Sequence, residues 1–159
     1  MSDLYDTDIL EWSEEQAKLL RRIQLGEPVN DQVDWENVIE EIESVGRGEV
    51  RAVLSSIQKI LRHRIDLLGW PNAQPVRKWR SELRTFSREL RSDYTPRMTG
   101  TGKVTDESVR QIYADAVEYC RAHMEADPEL PIPPECPWTL DDLLAEAKAA
   151  LPNDRSSHA

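Results

Sequence analysis

The sequence predicts an all-α protein: a single-domain bundle of about five to six helices with a proline-rich strap before the last helix. Three observations carry this. Apolar residues recur at steps of three and four through most of the chain. No stretch sustains the two-residue alternation of a half-buried strand. Each periodic stretch is also bounded by a capping residue, a glycine or a proline. At 159 residues the chain fits one domain, 1–159, and can bury a core. Its 39% hydrophobic and 31% charged residues suit amphipathic helices with solvated outer faces. Five tryptophans supply the large apolar area that a disordered chain lacks.

The first helix is expected over Asp8–Leu25, with Trp12, Leu19, Leu20 and Ile23 on one side and Gly26 and Pro28 as stops. Ser13 and Gln16 have capping-box spacing and offer a later start. Asp34 is a good N-cap for the second helix, whose apolar stripe is Trp35, Val38, Ile42 and Val45 and which Gly46 or Gly48 ends or kinks. The third runs from about Glu49 to Leu68 on Val50, Val53, Leu54, Ile57, Leu61, Ile65 and Leu68, before Gly69, Pro71 and Pro75. The fourth, about Val76 to Asp93, presents Trp79, Leu83, Phe86 and Leu90. A mobile loop is expected at about 94–104. Thr105 then caps a fifth helix bearing Val109, Ile112, Ala116, Val117, Cys120 and Met124. Prolines crowded into 128–137 forbid regular helix and predict an extended strap. Thr139, with Asp142 near the positive end of the dipole, starts a last helix, and the tail 152–159 reads as frayed.

Charge and cysteine usage narrow the function classes. A net charge of −10 opposes generic binding to nucleic acid or anionic membrane. The start MSDLYDTDIL is acidic where a signal peptide is basic and then apolar. No apolar run approaches the roughly 20 residues of a membrane span. Only Cys120 and Cys136 are present, which points to reduced thiols in a cytoplasmic protein.

The stretch DWENVIEEIESVGRGE, 34–49, concentrates carboxylates. Glu36, Glu40 and Glu43 form one stripe that Arg47 continues, beside the apolar face. On the third predicted helix Arg64 falls within the apolar face, where an unpaired guanidinium would cost several kcal/mol. A structural ion-pair seam of Glu40, Glu43, Arg47 and Arg64 is therefore expected. Glu40, Glu41 and His63 form a candidate polar site. For metal, the weak candidates are His63 with Asp66 and Cys120 with His123, each at i, i+3. Neither HExxH nor the Glu-x-x-His pair of di-iron bundles occurs, so no metal and no cofactor is expected. GxSxG is absent, and GTGK at 100–103 lacks the first glycine and the Ser/Thr of a phosphate loop. In VRKWRSELRTFSRELRSDY, Arg77, Arg80, Arg84, Arg88 and Arg91 advance by three or four, making a basic stripe. It serves either as a landing surface for an acidic partner or phosphates, or as the partner of nearby acids such as Glu82 and Glu89.

YDTDILEWSEEQAKLLR, DWENVIEEIESVGRGE, LRHRIDLLGW and ECPWTLDDLL, in this order along nearly the whole chain, resemble the DUF29 family. The resemblance implies a small, helical, mostly bacterial protein without an assigned function. It draws attention to Glu40, Glu41, Glu43, Gly46, Arg47 and His63. The family pattern carries an apolar residue after the histidine, where this chain has Arg64.

The leading expectation is a non-enzymatic protein-interaction or regulatory module, acting through the arginine stripe or the strap. Exposed aromatic residues near Trp70, Trp79 or Trp138 would favour it. A metal-assisted hydrolase using the 34–49 carboxylates with His63 is the alternative, and a nucleic-acid-associated protein using the stripe is the third. A protein partner is expected, nucleic acid and membrane are not, and the oligomeric state is left open.

Overall fold

A computed structural model describes residues 3–149 of the chain. Among the described residues there are seven α-helices, one 3₁₀ turn and no strand: α1 (Asp3–Thr7), α2 (Ile9–Gln24), the 3₁₀ turn (Asn30–Gln32), α3 (Trp35–Gly69), α4 (Val76–Asp93), α5 (Pro96–Gly100), α6 (Asp106–His123) and α7 (Leu140–Ala149). The chain divides into two compact units, Met1–Gly48 and Glu49–Ala159. The tail expected to fray, 152–159, lies outside the described residues.

In the first unit, Asp8 starts α2 as its N-cap, its carboxylate accepting the Glu11 N–H at 3.0 Å. The later start at Ser13 is not used: the Ser13 hydroxyl donates to the Leu10 carbonyl inside the helix. Gly26, with φ of 86°, occupies the left-handed region beyond the helix end. Trp12, Val33 and Val38 form the small core, with Leu4, Tyr5, Leu19 and Ile23 packed against it. Polar bonds tie it together. The Trp12 indole N–H donates to the Asp34 carboxylate at 3.1 Å, and the Asp34 N–H donates to the Gln16 side chain at 2.8 Å.

The second and third predicted helices are one. α3 runs unbroken over 35 residues, through Gly46 and Gly48. A glycine inside a helix costs about 1 kcal/mol against alanine, which is a penalty and not a bar. With no proline between 35 and 69, every backbone N–H there can join the ladder.

In the second unit, Val53, Ile57, Ile60, Leu61 and Ile65 of α3 form a core with Trp79 and Leu90 of α4, Val109, Tyr113, Ala116 and Cys120 of α6, and Leu140 and Leu143 of α7. Helix α7 packs on α4. Reciprocal caps fix two starts. Thr105 and Ser108 close a capping box on α6, and Thr139 and Asp142 exchange bonds of 2.8 and 3.2 Å at α7. The segment 94–104, expected as a loop, holds α5 and a turn through Gly102 (φ 71°), and it buries Met98 and Val104. Residues 124–139 contain no helix. Their backbone takes up side-chain donors instead: Trp70 Nε1–H on Ala126 O and Tyr113 O–H on Pro133 O, both at 2.7 Å. Gly69 lets this segment approach closely. A Cβ there would meet Ile132 at 3.3 Å, and the Gly69 carbonyl accepts the Glu129 N–H.

Candidate functional site

The expected ion-pair seam does not form between two facing helices, because those helices are one. Its members divide. Arg47 bonds Glu40 at 2.5 Å and approaches Glu43 at 3.7 Å, all three being exposed. Such pairs contribute at most about 1 kcal/mol. Glu41 accepts the Tyr5 hydroxyl at 2.7 Å, and this bond to an anion pushes the Tyr5 phenol above its ordinary range. Arg64 is buried, as expected, and one of its contacts is aromatic. The guanidinium lies 4.7 Å from the centre of the Trp138 ring. Asp142 is held below the usual carboxylate range by hydrogen bonds from Thr139, with the Arg64 charge adding to the effect.

His63 sits in a polar niche of the second unit. Its Nε2 is 3.2 Å from Glu82 and its Nδ1 is 3.7 Å from Asp66. The ring stacks parallel on Phe86 at 5.6 Å, and the Lys59 ammonium lies 4.9 Å from the same phenyl ring. Protonated, this imidazole would pair with two carboxylates and link α3 to α4. Cys120 offers no nucleophile beside it. Burial pushes the thiol well above its ordinary range, Asp66 adds to this, and Sγ–H points at the Arg62 carbonyl at 3.6 Å. His123 stacks on Tyr119 at 3.9 Å and its Nδ1 meets the Tyr119 carbonyl. The pair Cys120 and His123 therefore separates, one into the core and one to the surface. Among the described residues, no group of three or more His, Cys, Asp or Glu could hold a metal ion. A cleft of ≈ 310 Å³ beside Trp70, Arg121 and Asp127 and another of ≈ 450 Å³ beside Tyr94, Asp106 and Arg110 are both open, and neither contains His63 or Cys120.

The arginine stripe of α4 is different in kind. At about 100° per residue its five members fall within about 80° of arc, and they extend over about 21 Å of helix. Arg77, Arg80, Arg84 and Arg88 are exposed, while Arg91 is half-buried and engaged. Glu82 is occupied by Lys78 at 3.7 Å and by His63. Among the described residues no hydrogen bond or ion pair engages Arg77, Arg80, Arg84 or Arg88. The opposite face, with Trp79 and Leu90, is buried, and so is Ser87 at the border of the stripe. The helix is thus anchored by one side and presents a row of open guanidinium groups on the other.

The aromatic signals lie elsewhere than expected. Trp70 and Trp79 belong to the core. Trp35, Ile42 and Val45, read from the sequence as core-facing with Val38, are exposed together with Ile39, and only Val38 of that stripe is buried.

The whole pattern, from the Asp8 cap to the α7 capping box, coincides with one family model, a domain of unknown function, DUF29, which matches residues 4–147. The chain belongs to the DUF29 family. A similar solved structure, an alpha-helical protein of unknown function from Rhodospirillum rubrum ATCC 11170 at 1.45 Å, is 25% identical with a TM-score of 0.62. The alignment covers 95% of this chain and 99% of that one. No match is found among curated proteins. Among the described residues, no helix of this DUF29 protein is long and apolar enough to cross a membrane.

Proposed function

We propose that this DUF29 protein is a non-enzymatic interaction or regulatory module of the bacterial cytoplasm, a helical bundle tied by a proline-rich strap that offers the α4 arginine stripe to an acidic protein surface. The observation that carries the reading is the open row Arg77, Arg80, Arg84 and Arg88 in a chain with ten more acids than bases. Acids to satisfy these arginines are abundant, yet the fold leaves the guanidinium groups facing solvent. Arginine binds carboxylates through a planar two-pronged fork, and a helical row repeats about every 5 Å, the pitch at which an acidic helix presents its own charges. The free cysteines Cys120 and Cys136 suit a reducing compartment.

The test is titration of the full chain with poly-L-glutamate and, separately, with a DNA duplex. Poly-L-glutamate is expected to bind, to weaken steeply between about 50 and 200 mM salt, and to lose at least about tenfold in affinity in the Arg80→Glu, Arg84→Glu double variant. Absence of binding, or binding indifferent to the double variant, contradicts the proposal. Tighter binding of the duplex at equal salt would reassign the stripe to phosphates.

A further inference from the structure

A second surface, independent of the arginine stripe, lies on the first part of α3. Trp35 is 44% exposed, Ile39 53%, Ile42 68% and Val45 67%. Trp35, Ile39, Ile42 and Gly46 fall within about 60° of arc and form one continuous line, with Val45 at its border. Large apolar side chains in such a row mark a contact surface. The Trp35 ring is also fixed in place, its indole N–H donating to the Asn30 carbonyl at 2.8 Å. A rigid, half-open tryptophan is the kind of anchor that dominates interfaces.

We infer that this face pairs with the same face of a second copy of the chain, the two helices antiparallel about a two-fold axis between residues 40 and 41. The pattern of sizes and charges selects that occupant. In this register Trp35 stands opposite Gly46 and Ile39 opposite Ile42, so the largest side chain meets the residue with none. A side chain built at Gly46 would touch nothing within 4 Å in the single chain, so the space there is free to receive the ring. Arg47 and Glu36 share one flank of the face, and Arg47 of each copy comes within about 3 Å along the axis of Glu36 of the other. Glu43 on the same flank is already approached by Arg47 at 3.7 Å, which offsets repulsion from the other copy's Glu36. Glu40 and Glu41, nearest the two-fold axis, lie about 130° round the helix and keep their charges out of the contact. An isologous pairing of this kind needs a self-complementary face, and this one is.

Sedimentation velocity of the full chain, from about 1 µM to about 1 mM, tests it. A monomer–dimer equilibrium is expected, with Ile42→Glu weakening it at least tenfold while far-UV circular dichroism keeps its helical signal. Gly46→Leu, which fills the space for the opposing ring, is expected to weaken the dimer, and adding Trp35→Ala to it is expected to recover part of the loss. The Arg80→Glu, Arg84→Glu variant is expected to dimerise as the wild type does, which separates this result from that of the stripe. A monomer at every concentration overturns the inference and leaves the face to a partner of another sequence. A dimer untouched by Ile42→Glu, or one that tolerates Gly46→Leu, also overturns it.

Discussion

Residues 1–48 and residues 49–159 are built to different degrees of completion. The second unit buries apolar side chains from four long helices, and Ile57, Leu61, Ile65, Leu90 and Val109 are wholly inaccessible. The first unit buries Trp12, Val29, Val33 and Val38 and leaves Ile9, Leu10, Leu20, Leu25, Trp35, Ile39, Ile42 and Val45 exposed. In the second, the exposed large hydrophobics among the described residues are Leu68, Tyr119 and Leu130. The difference follows from size. A piece of fewer than about 50 residues has too little interior to hide its apolar side chains, whereas a hundred residues can close a core. Half of what remains uncovered in the small unit, Trp35, Ile39, Ile42 and Val45, lies along the start of α3 as an apolar face.

That contrast can be broken by mutation, and the largest effect is expected in the second unit. Ile57→Ala removes a fully buried side chain and should cost about 2–5 kcal/mol in urea unfolding. Ile42→Ala, the same chemistry at a 68% exposed position, should stay within about 0.5 kcal/mol at low protein concentration. Equal costs would erase the distinction. Next in size, Thr105→Ala removes the α6 capping box and should cost about 1 kcal/mol. Gly48→Ala should stabilise by about 0.5–1 kcal/mol, because the added methyl meets nothing within 4 Å and the helical backbone needs no glycine there. Smallest is a pH effect at α7. The folded pKa of Asp142 lies below its ordinary value of 3.8, so its carboxylate stabilises the folded chain above that value. The contribution is lost as pH falls through the lower folded value. Melting temperatures of wild type and Asp142→Asn should therefore differ at neutral pH and converge at acid pH.

Much of this was legible in the sequence where signals are local. The start of the first long helix near Asp8, the Thr105 and Thr139 caps, and the span of α4 from Val76 to Asp93 follow from residues that act on their own neighbours. The continuity of α3 was not legible. Gly46 and Gly48 read as an end or a kink, and the single helix over Trp35–Gly69 shows that they weaken it without stopping it. The contact of Arg64 with Trp138 was not legible because Trp138 is distant in sequence, although burial of the guanidinium was foreseeable from its place in the apolar face. The openness of Trp35, Ile42 and Val45 was hidden for another reason. A periodic apolar stripe looks the same whether a core or a contact surface lies against it. The arginine stripe was visible, while the choice between pairing within the chain and facing solvent required the positions of Glu82 and its neighbours.

The most direct measurement is amide hydrogen exchange of the full chain at a concentration low enough to keep it monomeric. The amides of Ile57, Ile60, Leu61 and Tyr113 should exchange only through global unfolding, and those of Trp12, Val38 and Ile42 much faster through local opening of a thinly covered unit. Raising the concentration should slow exchange selectively across 35–48. Uniform protection of both units at low concentration would contradict the account, since residues 1–48 would then be as complete as the rest.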